Sequence, residues 1–375
     1  MNRVSKLDVF YHERKVGTMA LYKNLYAAFE YDSEWLSDGF SISPFSLPLE
    51  KTVFIPKIDP FDGIFGVFND SLPDGWGKLL VDRLMRRNGL NPAQMGNLDR
   101  LAVVGESGMG ALTYRPVISM SESSEQLSLD EIARECEKIL SSEDSENLDY
   151  IFAKGGSSGG ARPKILTKVD DDDYIIKFPS KEDNIDIGKQ EYDYALCAKE
   201  CGIMMEDVQL FDSNRCSGYF GTKRFDRDGE SINDRVHMIS ASGILETSHR
   251  IPNLDYDLLM KLTLQLTRSM DECLKLYRLM CFNVFAHNRD DHSKNFSYLY
   301  DEKQRNWYLS PAYDLTYSNS IGGEHATTVH GNGVNPGMKD ILQVAKEIGL
   351  GKEKAEKIAR NIQECVHERL GEYIK

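Results

Sequence analysis

The run AHNRDDHSKNFSYL, residues 286–299, gathers two histidines, two aspartates, two asparagines and a lysine ahead of an apolar, strand-like segment. Asp290 is followed two positions on by His292 and five positions on by Asn295, and Asp314 stands at the end of the next hairpin in LSPAYDLT. A loop carboxylate at the substrate, with an Asn and a second Asp holding Mg²⁺, is what phosphoryl transfer uses. Mg²⁺ takes hard oxygen ligands and usually only one or two protein carboxylates. Asp290 is the candidate base, Asn295 and Asp314 the candidate metal ligands, His292 a residue that orients the loop, and Asp291 a solvated loop residue. A transition-metal site on His287 and His292, with the two aspartates between them, is the alternative. Such sites favour at least three ligands with a supported second shell, and this one leaves the upstream features below unexplained.

Those features begin with AKGGSSGGARPKIL, where Gly155, Gly156, Gly159 and Gly160 flank Ser157 and Ser158 just ahead of a strand pattern. Without Cβ atoms, backbone N–H groups can close on phosphate oxygens. A plain flexible linker is the other reading of such a run. Lys177, in YIIKFP, is flanked by Ile176 and Phe178 and calls for an anionic partner such as a nucleotide phosphate. It could instead snorkel from the strand. Glu191, on the helix that follows, either orients that lysine or is an exposed helix charge. In chain order the parts are glycine-rich loop, strand lysine, helix glutamate, Asp-x4-Asn and a further Asp, which is the order found in kinases.

The elements that must position these residues can be read from periodicity. LDVFYH, KVGTMALY and LYAAFEYD read as strands of a small β-rich N-terminal unit. In NDSLPDGWGKLLVDRLMRRNGL, Asp74 can cap a helix carrying Leu79, Leu80 and Leu84, which Asn88-Gly89 stops. A Ser- and Glu-rich stretch follows, containing one helix that starts on a capping box, Ser128 to Glu131. Strand KILTKV, an acidic turn at Asp170 to Asp173, strand YIIKFP, a helix ended by Gly202, and strands VQLF and GYFGTKRF come next. After about residue 253 the pattern turns helical, with apolar positions at 258, 259, 262 and 266, then 274, 276, 279 and 280. The hairpin NFSYLY to NWYLSPAYD interrupts it before helix resumes over 338–374.

At 375 residues the chain suits two or three domains. Its formal charge of −14 disfavours direct nucleic-acid binding. Seven scattered cysteines without a CxxC pair argue against a disulfide framework or zinc knuckle and for a reducing cytoplasm. No apolar run approaches the roughly 18 residues of a membrane span.

Taken together, GGSSGGARPK, YIIKFP, TKRFDR, NRDDHSKNFSYL and LSPAYDLT resemble the HipA family of bacterial serine/threonine kinases, toxins of type II toxin–antitoxin modules, and LPDGWGKLLVDR resembles the domain that precedes their kinase core. The resemblance implies an α+β fold with a HipA-type N-terminal domain over 1–116, a linker with one helix over 117–149, a kinase N-lobe over 150–225 and a mainly helical C-lobe over 226–375. It implies ATP and Mg²⁺ as cofactors, with Asp290 catalytic, Asn295 and Asp314 on the metal, and Lys177 on the ATP phosphates with Ser157, Ser158, Gly159 and Gly160 of the loop. Lys223 and Phe225 fall where the interlobe hinge meets adenine, and His292 belongs to the same nucleotide site. Ser157 matches the serine that family members autophosphorylate, although Ser158 is chemically as able to accept phosphate. A phosphoserine there would add roughly −1.5 to −2 charges beside the ATP phosphates and silence the enzyme. At Arg162 and Pro163 the chain departs from the commoner family wording, which has Gln and often Glu. The implied substrate is a translation-related protein, in some members an aminoacyl-tRNA synthetase. The implied partner is a small helix-turn-helix antitoxin, through which alone the complex touches DNA. Asp-x-His-x-x-Asn also occurs in small-molecule and lipid kinases, and a catalytically silent nucleotide-binding regulator is a third reading.

Overall fold

Alternation of apolar and polar residues builds the first sheet. In the computed structural model, which describes residues 3–118 and 127–374, β1 (Lys6–Tyr11), β2 (Arg14–Tyr22) and β3 (Tyr26–Tyr31) form an antiparallel meander. β4 (Val53–Phe54) and β5 (Leu112–Arg115) complete it in the order β4-β3-β2-β1-β5. Leu7, Val9 and Tyr11, spaced by two, all point to the buried face.

Four helices lie between β3 and β5: α1 (Ser33–Asp38), α2 (Gly66–Asn69), α3 (Gly75–Arg87) and α4 (Asn97–Val104). On α3 the repeat of four, Trp76, Leu80 and Leu84, makes the buried stripe, while Leu79 lies beside it, partly buried. The Ser- and Glu-rich stretch, of which residues 119–126 lie outside the described residues, carries α5 (Leu129–Leu140), and α6 (Leu148–Gly155) follows. The capping box forms: the Glu131 N–H donates to Ser128 Oγ at 3.3 Å and the Ser128 N–H to Glu131 Oε2 at 2.8 Å.

β6 (Lys164–Val169) and β7 (Asp172–Lys177) pair through a two-residue turn in which Asp170 and Asp171 both take positive φ, 48° and 71°. That geometry matches the strand twist, and Asp tolerates it. α7 (Ile187–Glu200), β8 (Val208–Phe211) and β9 (Tyr219–Lys223) follow, and the sheet runs β6-β7-β9-β8. Ile165, Ile176, Phe178 and Tyr219 from this sheet share one apolar cluster with Trp76, Leu80 and Leu84 of α3, Ile132, Cys136 and Ile139 of α5, and Ile151 of α6.

The chain then passes through β10 (Met238–Ser240), α8 (Ala241–Leu245) and β11 (Leu254–Asp255) into α9 (Tyr256–Thr267) and α10 (Met270–Phe285). Asp255 and Ser269 cap these two helices, accepting from the N–H groups of Asp257 and Glu272. Leu259, Leu262 and Leu266 are buried as the periodicity predicts, but Leu258 is 45% exposed, because it lies one residue off the stripe. The hairpin of β12 (Ser297–Asp301) and β13 (Asn306–Leu309), the short β14 (Thr327–Thr328), α11 (Met338–Glu347) and α12 (Lys352–Leu370) end the fold. α12 presents Ala355, Ala359, Ile362 and Val366 as its buried stripe, and Tyr277 of α10 donates to the Ala355 carbonyl at 3.2 Å.

The architecture is mixed α+β, as expected. The chain divides into two compact units. One comprises Met1–Gly188, Gln209–Ile239 and Gly243–Glu246, and the other Lys189–Val208, Ser240–Ser242 and Thr247–Lys375. Among the described residues no helix is long and apolar enough to cross a membrane.

Candidate functional site

In the first unit the glycine-rich segment is a defined turn rather than a loose linker. α6 ends at Gly155, and Ser158 folds back on it: its N–H and its hydroxyl both donate to the Gly155 carbonyl, at 3.1 and 2.6 Å. The Ser157 hydroxyl donates to the Ser107 carbonyl at 2.9 Å, and its residue is 9% exposed. The start of α3 grips the other end of the segment. Gly160 N–H donates to the Asp74 carboxylate, and Trp76 N–H donates to the Gly160 carbonyl at 2.8 Å. Asp74 is thus the residue before the helix, as expected, but its carboxylate caps the glycine turn instead of its own helix. Gly75 and Gly77 permit this approach, since a Cβ on either would run into the carbonyl of Gly160 or Ser158.

Lys177 ends β7 opposite Lys164 of β6, is 9% exposed, and holds its ammonium 5.6 Å from the centre of the Phe220 ring. It does not snorkel to solvent. Lys223, at the end of β9, pairs with Asp172 at 2.7 Å, and Phe225 beyond it is half-buried. Between them Arg224 is buried and grips Asp226 through two hydrogen bonds of 2.9 and 2.8 Å. Arg227 adds a third at 2.8 Å and the Gly110 N–H a fourth at 2.6 Å. Burial alone would push the Asp226 carboxyl up, but Arg224 and Arg227 bring it down to about 2. Arg162, where the sequence departs from the family wording, forms a forked pair with Asp183, 3.1 and 3.0 Å from Nε and 2.9 Å from a terminal nitrogen.

In the second unit the loop after α10 is built around Asp291, and here the expectation of a solvated residue is corrected. Asp291 is 1% exposed. It accepts from the Tyr256 hydroxyl at 2.9 Å and the Thr327 N–H at 3.1 Å, its carboxylate lies 3.1 Å from His325 Nδ1, and its carbonyl accepts from the Thr327 hydroxyl. The reason is that β14 and α9 close over the loop and need an acceptor there. Asn283 and Asn288 extend the network, Nδ2 of Asn283 donating to Tyr256 at 2.9 Å and Nδ2 of Asn288 donating to Asn283 Oδ1 at 3.0 Å. With its neighbour pinned inward, Asp290 faces outward and is exposed.

Asn295 lies on a single 3₁₀ turn, and its Nδ2 donates to the Asp290 carbonyl at 2.8 Å. That bond assigns the amide orientation and leaves Oδ1 as the side chain's acceptor, a hard oxygen donor of the kind Mg²⁺ takes. Tyr313, next to Asp314, ties the following segment to the same loop: its hydroxyl donates to the Lys294 carbonyl at 2.6 Å and lies 2.6 Å from Ser297 Oγ. Asp314 itself takes φ of 58°, the left-handed region that a non-glycine residue enters only where its surroundings require it. The donor set of Asn295 amide oxygen and Asp314 carboxylate fits Mg²⁺. His292 caps the 3₁₀ turn through its backbone, its ring 5.3 Å from that of His249, and its buried Nδ1 has no hydrogen-bond partner among the described residues. His287 is held toward its neutral form by burial and by Arg289 and His325. Glu191 is 2% exposed on α7, which removes the exposed-charge reading.

The partners that pin these loops, Tyr256, His325 and Thr327 for Asp291 and Gly110 for Asp226, were missed from sequence. None lies near its carboxylate in the chain, apart from Asp226's own arginines.

Comparison with known proteins divides the chain elsewhere than the two compact units do. A family model described as the HipA N-terminal domain matches residues 7–115, and one described as the HipA-like C-terminal domain matches residues 156–370. Among solved structures the chain is similar to one from Shewanella oneidensis MR-1, a toxin–antitoxin complex of HipA, HipB and operator DNA. The identity is 18%, the TM-score 0.70, and the match covers 97% of this chain and 90% of that one. It is also similar, at 14% identity and a TM-score of 0.38, to the Helicobacter pylori proinflammatory kinase CtkA, over 57% of this chain and 90% of that one. No curated protein matches. With the C-terminal model alone spanning more than half of the residues, the chain belongs to the HipA family.

Proposed function

We propose that this chain is an ATP- and Mg²⁺-dependent protein serine/threonine kinase, acting as the toxin of a toxin–antitoxin pair. The observation that carries the reading is the division of labour in the 290–295 loop. Asp291 is locked inward by three side-chain and backbone donors, Asp290 is left exposed, and Asn295 is bonded to the Asp290 carbonyl. Such a loop offers one accessible carboxylate at a rigid position, as a residue that orients and deprotonates a hydroxyl must be.

Asp290 accepts the proton of the substrate hydroxyl. Asn295 Oδ1 and the Asp314 carboxylate hold Mg²⁺, Lys177 neutralises phosphate charge, and the N–H groups of the glycine-rich turn, including those of Ser157, Ser158, Gly159 and Gly160, approach the phosphates. Lys223 and Phe225 contact the base. ATP with its metal supplies the transferable phosphoryl group. Ser157 is the self-phosphorylation site, and since its hydroxyl is bonded to the Ser107 carbonyl, the turn must leave its present position before that serine can react. The solved HipA relative is in complex with HipB and operator DNA, which supports a small DNA-binding antitoxin as partner here. The net charge of −14 fits DNA contact through that partner alone.

The test is phosphate transfer from labelled ATP by Asp290→Asn. A fall of about 10²–10⁴-fold with an unchanged circular dichroism spectrum is expected, that being what a positioned general base supplies. Transfer at the wild-type rate would remove Asp290 from the chemistry. Labelling confined to small molecules or lipids, with none on protein, would favour a small-molecule or lipid kinase, and ATP binding without turnover a silent regulator.

A further inference from the structure

Outside the site described above, the second unit brings together three sulfurs that the sequence keeps far apart. Cys197 and Cys201 stand one helical turn apart at the end of α7, where the Cys201 N–H still bonds to the Cys197 carbonyl at 2.9 Å, and Cys365 projects from α12. Their three Sγ atoms all lie within 4.8 Å of one another, and among the described residues this is the one group of three or more His, Cys, Asp or Glu side chains arranged to hold a metal ion. An open cavity adjoins them, lined by Cys201 and Cys365 together with Glu200, Arg278, Asn361 and Ile362.

Cysteines packed between helices are commonly small apolar fillers, as Cys136, Cys273 and Cys281 are here, each fully buried. Cys201 and Cys365 differ in being half-buried at a cavity wall that an ion can reach. The dimensions also suit a metal. With Zn–S bonds of about 2.3 Å, a tetrahedral site separates its sulfurs by about 3.8 Å, so rotamer adjustments of about 1 Å close the triangle. A disulfide needs two of these sulfurs at about 2.05 Å and leaves the third unused.

We propose that Cys197, Cys201 and Cys365 form a tri-thiolate site for a thiophilic d¹⁰ cation, Zn²⁺, whose fourth position opens to the cavity and takes a water molecule. Each thiol gives up its proton to solvent as its sulfur binds, three protons for three Zn–S bonds, and the three thiolates with Zn²⁺ leave the site one net negative charge, beside Arg278 of the cavity wall. The ion staples the end of α7 to α12, a role in the helical unit independent of phosphoryl transfer.

The full chain, reduced and metal-free, is titrated anaerobically with Co²⁺ as a spectroscopic stand-in. One equivalent should raise thiolate-to-cobalt charge-transfer and tetrahedral ligand-field bands, and one equivalent of Zn²⁺ should bleach them. Cys365→Ser should lose the bands and Cys216→Ser keep them. A measurement that needs no variant runs in parallel: alkylation of the wild-type chain, mapped by mass spectrometry, in which Zn²⁺ protects the half-buried residues 201 and 365 and leaves 216 reactive. Bands that persist in Cys365→Ser, the absence of bands from the wild-type chain, alkylation unaffected by Zn²⁺, or a Cys201–Cys365 disulfide that forms in air as fast with Zn²⁺ as without would overturn the proposal.

Discussion

Asp290 and Asp291 are adjacent and chemically identical, yet the first is exposed and the second is 1% exposed with Tyr256, His325 and Thr327 around it. Their substitutions should therefore separate activity from stability. Asp291→Ala strands several buried polar groups at once and should cost about 3 kcal/mol or more, read as a lower urea midpoint, while Asp290→Ala should stay within about 1 kcal/mol of wild type. Asp226 gives a pH signature. Its folded pKa of about 2 lies below its ordinary 3.8, so its stabilisation is fully present above about pH 3.8 and is lost as pH falls toward 2. His237 acts in a different window. Burial lowers it from 6.5 to about 4, so the unfolded chain takes up a proton first and stability falls as pH drops from about 6.5 to 4. Denaturant melts across pH should show the upper slope become shallower in His237→Gln and the lower one in Asp226→Asn.

At the scale of elements, the start of α3 and the glycine-rich turn behave as one joint. Gly75 has φ of 42° and faces the Gly160 carbonyl, so Gly75→Ala strains the backbone and pushes the turn away. The expected result is faster hydrogen exchange over residues 155–160 and a stability loss of about 1–3 kcal/mol. Unchanged protection of that turn would show that Asp74 and Trp76 do not hold it. The Ser128–Glu131 box makes a smaller, purely local contribution to α5. Ser128→Ala should cost about 1 kcal/mol, and because Ile132, Cys136 and Ile139 remain in the shared core, the helix should survive it.

At the scale of the whole molecule, a formal charge of −14 and a sequence pI near 5.1 set the long-range field. The chain alone should show no retention of operator DNA in a mobility-shift assay at physiological salt, and addition of the antitoxin should produce it. Retention by the chain alone would contradict the proposed route to DNA. The amino-acid sequence determined whatever depends on near neighbours: strand alternation in β1, the stripe of α3, the capping box of α5, the acidic turn after β6, and the types and spacing of Asp290, Asn295 and Asp314. These follow from periods of two and 3.6 residues and from side chains that reach only a turn away. Only the tertiary structure decided which of two adjacent aspartates is buried, because the donors to Asp291 come from residues 34 to 36 positions away on either side. It likewise decided that Asp74 caps a turn 86 residues downstream, that Glu191 is buried, and that Cys365 meets Cys197 and Cys201. Burial and hydrogen-bond partnership are properties of space, and a linear pattern records them only where the partner is also near in the chain.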